Sequence, residues 1–200
     1  MIQQMIHKYE MINLLIAELK IDSYLEIGLG PLQETWKWIN CDHKECVDID
    51  RGDNNLPTFL GTSDDFFNQN TREFGLIYID GDHRSEQVRK DLINSLLYLQ
   101  PGGVIVMHDI APRNREQIDP RSSGDAFKVF IEIQRNPHLV AHTHFFPDGD
   151  AAGVVWRGKN ENPFTAETSG DEFDFYLHHK DQILSPLDIK EIIKKIKSAK

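Results

Sequence analysis

The sequence predicts an α/β domain: a mostly parallel sheet with helices on both faces, finished by an antiparallel closing strand pair. Three observations carry this. Between residues 23 and 110 short apolar runs and helical patterns alternate as strand, helix, strand, helix, strand, helix, strand, the signature of a sheet buried on both faces. Beyond them HLVAHTHFF and AGVVWRG read as two further strands close in sequence. The 200 residues, 40% hydrophobic and 27% charged, suffice for one core and not for two. A single domain over 1–200 is expected, with its core at about 4–158 and a polar linker and C-terminal helix over 159–200.

The elements follow in order. Residues 4–19 place Met5, Tyr9, Ile12, Ile16 and Leu19 at helical spacing. SYLEIG is a buried strand ended by glycine, QETWKWIN a short helix in which Trp36 and Trp38 serve packing, and KECVDI a second strand. After the turn-rich RGDNNLP, TFLG is a weak third strand, and Thr62 or Ser63 caps a helix with acids in its first turn. FGLIYID is a strong fourth strand. SEQVRKDLINSLLYL carries Val88, Leu92, Leu96 and Leu99 on one stripe; Pro101-Gly102-Gly103 stops it, and VIVMHDI is the fifth strand. Residues 111–124 are a long polar loop, DAFKVFIEIQ a helix, and 158–172 a flexible polar stretch. The tail helix sets Ile189, Ile192, Ile193 and Ile196 on one side.

Charge and composition exclude several classes. A formal charge of −10, from 22 basic and 32 acidic residues, disfavours a phosphate backbone as partner. No apolar run approaches the roughly 20 residues of a membrane helix, and MIQQMIHKYE lacks the features of a secretory leader; the expectation is a cytoplasmic protein. Cys41 and Cys46 form neither a zinc pair with partners nor a disulfide framework.

In such a sheet the ligand sits outside the carboxyl ends of the strands. Those ends read Glu26-Ile27-Gly28-Leu29-Gly30, Asp48-Ile49-Asp50, Gly61-Thr62-Ser63, Asp80-Gly81-Asp82-His83 and His108-Asp109. Gly28 and Gly30 permit a tight turn and close approach of a ligand. Asp48 follows Gly28 by 20 residues, the usual offset for an acid that accepts from ribose hydroxyls. A dinucleotide fingerprint needs a third glycine at position 33, which is Gln. Glu26, two residues before the first glycine, opposes a pyrophosphate and suits the cationic amino-acid end of S-adenosylmethionine.

LEIGLG, CVDID, GTSDDFF, LIYIDGDHRSEQVRKDL and LQPGGVIVMHDI resemble the successive motifs of class I S-adenosylmethionine-dependent methyltransferases, most nearly the small-molecule O-methyltransferase-like group. The resemblance covers 23–110, with AGVVWRG also similar, and implies a Rossmann-like fold. It implies that Glu26, Gly28 and Gly30 line the methionine part of the cofactor, that Asp48 holds the ribose, that Thr62 and Ser63 lie beside the adenine, and that Asp80 faces the sulfonium. Leu32 departs from the small residue usual in the glycine loop.

Methyl transfer to a hydroxyl of a small molecule, such as a sugar or natural product, requires alignment of the acceptor and removal of its proton. His83, His108 and Asp109 are the candidate catalytic residues, both histidines lying on the rim. Related O-methyltransferases hold a divalent cation at the ends of the fourth and fifth strands, which here implies Asp80, His108 and Asp109, with Asp82 nearby. His-Asp in place of Asp-Asn favours a softer metal than magnesium, or none. Simpler readings stand beside these: Asp82 as a helix cap, Asp109 as a loop anchor, His142 and His144 on a solvated edge strand, His178 and His179 on the surface. Arg113, Arg115 and Arg121 make the 111–124 loop either a lid for an anionic acceptor or a surface loop. An NAD(P)-dependent oxidoreductase and a non-catalytic nucleotide-binding module remain as alternatives. A base-amino methyltransferase lacks its Pro-Pro-aromatic signature, and neither Cys lies on the rim to serve as a nucleophile.

Overall fold

The alternation becomes seven strands and six helices among the described residues, 7–30, 35–51 and 57–199 of this computed structural model. Met5, Leu32, Gln33 and positions 52–56 of the RGDNNLP turn lie outside them. In chain order the elements are α1 (Lys8–Leu19), β1 (Ser23–Ile27), β2 (His43–Asp48), β3 (Phe59–Leu60), α2 (Ser63–Gln69), β4 (Phe74–Ile79), α3 (Ser85–Leu97), β5 (Leu99–Met107), α4 (Phe127–Arg135), β6 (Leu139–Phe145), β7 (Ala151–Arg157), α5 (Glu172–Leu184) and α6 (Ile189–Ser198).

The strands form one sheet in the order β3-β2-β1-β4-β5-β7-β6. Within it β7 runs antiparallel to both β5 and β6, while β1 to β5 pair in parallel. Side chains alternate across a strand, and two cores result. Leu25, Ile27, Ile77 and Ile105 pack under α2, α3, α4 and α5. Tyr24, Leu76, Tyr78 and Val106 pack under α1 and α6. The isoleucine stripe of α6 (Ile189, Ile192, Ile193, Ile196) is wholly buried in that second core, each residue contributing roughly 1.5–3 kcal/mol of burial.

Four details differ from the sequence reading. Of the helix expected over QETWKWIN, the described part, 35–40, holds a 3-10 turn at Trp36–Trp38; Trp36 is buried, whereas Trp38 is exposed and stacks on Tyr9. Helix α3 ends before Leu99, which already pairs with Phe74. Pro101-Gly102-Gly103 is a bulge inside β5, because the register jumps from Leu99 to Val104 while the neighbour advances from Phe74 to Leu76. The stretch 159–200 holds a helix not foreseen, α5, capped by Asp171, whose carboxylate accepts from the amides of Phe173 and Asp174. Edge strand β6 is covered rather than solvated: the Leu187 amide donates to the Thr143 carbonyl (2.9 Å), and His142 Nδ1 lies 2.9 Å from Ser185 Oγ.

Candidate active site

The parallel strands deliver their carboxyl ends to a cleft of about 830 Å³. Gly28 (φ +86°) stands where β1 and β4 nearly touch, and a Cβ there would run into the Asp80 carbonyl. Its requirement for glycine is therefore set by chain crossing. Gly30 (φ +61°) faces open space. Asp48 ties the turn to β2, accepting from the Leu29 amide at 2.7 Å and the Asp50 amide at 2.8 Å. At the far wall Thr62 caps α2 by accepting from the Asp65 amide. Ser63 Oγ donates to Asp91 at 2.6 Å, and the Gln87 side-chain amide bridges Asp64, Ser63 and Asp91. Burial of Asp91 raises its pKa to about 6.

A cluster of acids and histidines closes the other end. His108 Nδ1 lies 3.0 Å from Asp80 Oδ1 and 2.9 Å from Asp109 Oδ2, and its Nε2 lies 2.6 Å from Asp150 Oδ2. Burial opposes charging this ring, but the three carboxylates outweigh it and hold its pKa well above the usual histidine value. His108 is thus an imidazolium with both N–H groups engaged. Burial likewise pushes Asp80 up, and the two histidines with Lys8 pull it below the ordinary carboxylate range; the Tyr78 hydroxyl also donates to it at 2.8 Å. Asp109 sits in the left-handed region (φ +54°), a strained position for a non-glycine residue and typical of sites where a side chain must be aimed.

His83 faces the same carboxylates from across the cleft. Its Nδ1–H donates to the Ser122 carbonyl, which turns Nε2 toward Asp109 (3.3 Å) and Asp80 (3.8 Å). Burial lowers its pKa and the two acids more than reverse that, so it stands above the ordinary value. The 119–125 loop that supplies Ser122 is bound to the α3 start: the Asp125 amide donates to the His83 carbonyl (3.1 Å), and the Asp125 carboxylate accepts from the Ser85 amide (2.6 Å). Asp82 accepts from the Arg84 amide instead. The loop's arginines divide: Arg115 pairs with Asp171 and Asp174, Arg121 with Asp119, and Arg113 lies beside Gly149.

Gly28, Gly30, Asp48, Thr62, Ser63, Asp80 and His83 all border the cleft. Glu26 does not. It lies on the α1–α6 face of β1, 1% exposed, where the Tyr24 hydroxyl donates to it at 2.7 Å and burial raises its pKa to about 8. Its carboxyl faces Tyr24 rather than the cleft, and Asp80 is the carboxylate that borders the cleft beside Gly28. His108 and Asp109 are not among the lining residues, but each touches one that is: Asp109 approaches His83 at 3.3 Å and His108 approaches Asp80 at 3.0 Å. Sequence reasoning missed Lys8, Asp91, Gln87 and Asp150. Asp150 had a readable signal in the turn motif FPDGD between two strands, but its partner His108 is 42 positions away.

Residues 25–110 match the family model described as a methyltransferase domain. Over that segment the chain is similar to methyltransferase domains. Solved structures with the same fold include the O-methyltransferase from Bacillus cereus in complex with SAH (18% identity, TM-score 0.51, covering 75% of this chain and 80% of that one). The O-methyltransferase TomG from Streptomyces achromogenes, involved in tomaymycin synthesis and solved with SAM, gives 12% identity and a TM-score of 0.54 over 75% and 79% of the two chains. MycE methyltransferase of the mycinamycin pathway, in complex with Mg, SAH and mycinamycin VI, gives 16% and 0.50 over 80% of this chain; the match spans 51% of that protein. No curated protein matches by sequence. The matched segment stops short of α1 and of everything beyond Ile110, and no helix among the described residues is long and apolar enough to cross a membrane.

Proposed function

We propose that the protein is an S-adenosylmethionine-dependent O-methyltransferase acting on a hydroxyl of a small molecule, a sugar or natural product in class. The observation that carries the reading is the conjunction, inside the family-matched segment, of a glycine-turn cleft with an aimed histidine facing two carboxylates at its end. The cofactor supplies a methyl group on a sulfonium. Asp48 retains lone pairs for the ribose hydroxyls, the Ser63–Asp91–Gln87 network borders the adenine end, and Asp80 faces the sulfonium.

With the cofactor bound, its sulfonium methyl would be transferred to an acceptor hydroxyl aligned with it, and His83 Nε2 would accept the proton that the hydroxyl loses. The Ser122 carbonyl holds the tautomer that leaves this nitrogen free to accept. The His108 imidazolium stays out of the proton transfer. It offsets the charge of Asp80, Asp109 and Asp150 and fixes their positions.

A second reading rests on the same geometry. One oxygen each of Asp80 and Asp109 and the inward nitrogen of His83 lie within 4.8 Å of one another, and a metal-bound histidine characteristically donates its other N–H to a carbonyl, as His83 does. Those three residues would hold a divalent cation, which would polarise the acceptor hydroxyl; His108, with both nitrogens engaged, is replaced by His83 in the ligand set expected from the sequence. Dialysis against a chelator separates the readings, since activity that survives it leaves His83 as the base. Calorimetric titration with S-adenosylhomocysteine and with NAD, followed by a screen of hydroxylated metabolites and glycans with labelled cofactor, tests the function. Binding of S-adenosylhomocysteine with methylation of a hydroxyl is expected; tight NAD binding without it overturns the reading.

A further inference from the structure

Lys8 opens α1, seventeen residues upstream of the family-matched segment, yet its side chain borders the cleft beside Gly28 and Asp80. Four side chains of the described lining carry or gain positive charge: Lys8, His83, Arg84 and Arg121. Arg84 is bound to Asp82 at 3.0 Å and Arg121 to Asp119 at 2.8 Å, and His83 belongs to the proton-accepting end. Lys8 makes one long approach to an acid, 3.9 Å to Asp80 Oδ2, with its side chain 27% exposed. That distance is too long for a hydrogen bond, so the Lys8 ammonium can still pair with another anion.

The methionine end of the cofactor is a zwitterion, an α-ammonium beside an α-carboxylate. With Glu26 buried against Tyr24 and outside the cleft lining, a wall presenting Asp80 and Lys8 side by side offers one anion and one cation to that pair. We infer that Lys8 is the residue that binds the α-carboxylate of the cofactor, so that α1 completes the cofactor site from outside the family-matched core. The inference rests on the cofactor assignment above. The rest of the molecule holds Lys8 there: Met11, Ile12 and Leu15 of α1 share a core with Ile192, Ile193 and Ile196 of α6, and Lys197 Nζ pairs with Glu18 at 2.6 Å. The C-terminal helix thus braces the helix that carries the lysine.

An anionic group on the methyl acceptor is the other source of a carboxylate for Lys8, so the test is made without acceptor. Affinities of wild type, Lys8→Met and Lys8→Arg are measured by calorimetry for S-adenosylhomocysteine and for 5′-methylthioadenosine, which keeps the nucleoside and sulfur but lacks the amino-acid end. Removing a charge-assisted hydrogen bond from a partly covered site lowers affinity on the order of 10- to 100-fold. Lys8→Met is expected to weaken S-adenosylhomocysteine by that factor, to leave 5′-methylthioadenosine within about twofold, and to be largely rescued in Lys8→Arg. Equal affinity of wild type and Lys8→Met for S-adenosylhomocysteine, or equal losses for both ligands, would overturn the inference while leaving the cofactor assignment intact. A wild-type chain that binds neither compound overturns both.

Discussion

His83 is placed by its neighbours more than by its own strand end. The Ser122 carbonyl takes Nδ1–H, and Asp80 and Asp109 lift the pKa of the ring above its ordinary 6.5. A base must be neutral to accept a proton, so kcat/KM should fall as pH drops through this raised value, with the acid limb above pH 6.5 in the pH–rate profile. His83→Gln should lower turnover by about 10²–10⁴-fold, remove that limb and leave S-adenosylhomocysteine affinity within a few-fold. A variant that keeps the limb assigns it to another group. Gly28 shows a different constraint at the same scale. Its φ of +86° and the adjacent Asp80 carbonyl leave no room for a methyl, so Gly28→Ala should cost on the order of 1–3 kcal/mol of stability and weaken cofactor binding, measured by thermal unfolding with and without ligand. An unchanged Tm would mean that β1 and β4 separate more easily than their packing implies.

At the scale of elements, the 119–125 loop is a wall rather than a loose lid. Asp125 gives the first turn of α3 the cap that the helix lacks in its own sequence, taking both the amide and the hydroxyl of Ser85. Asp125→Ala should therefore destabilise by about 0.5–2 kcal/mol, lowering Tm by about 2–4 °C for each kcal/mol, and should also weaken cofactor binding as Pro120 and Arg121 lose their anchor. Loss of Tm with unaltered affinity would detach the loop from the cleft. This cap is not legible in the sequence, because the nearby Asp82 satisfies the local rule and Asp125 lies 40 residues beyond the Ser85 it caps. What can be read is whatever local periodicity or punctuation encodes. The runs of β1, β4 and the second half of β5 are mostly apolar and are followed by glycine, acid or histidine, and α6 is a clean isoleucine stripe. Helix α5 escapes because the polar run His178–Gln182 interrupts its apolar spacing, leaving Phe173 and Tyr176 far from Ile183 and Leu184. Glu26 falls on the expected strand, but alternation puts its side chain with Tyr24 and Tyr78 rather than in the cleft.

Across the whole molecule the two terminal helices set the electrostatics of the core they cover. Met11, Ile12 and Leu15 of α1 and the α6 isoleucines shut water out of the face of the sheet that carries Tyr24, Glu26 and Tyr78. Burial there moves the Glu26 pKa from about 4.5 to about 8. In the unfolded chain the carboxyl ionises at its ordinary value, so between these limits the folded state holds a proton that the unfolded state has lost. The stabilisation from this group is complete below about pH 4.5, declines as pH rises and is gone above about pH 8, where the fold must carry a buried charge. Each pKa unit corresponds to about 1.4 kcal/mol, so the effect should be visible in denaturant midpoints. Glu26→Gln keeps the shape and an acceptor for the Tyr24 hydroxyl while removing the titration. The variant and the wild type should have similar urea midpoints near pH 5. By about pH 8.5 the wild type should fall behind by on the order of 4–5 kcal/mol, the divergence accumulating steadily between about pH 4.5 and 8. Curves that stay parallel over this range would mean that Glu26 is ionised in the folded protein at neutral pH, and that the negative charge at the methionine end is shared between Glu26 and Asp80.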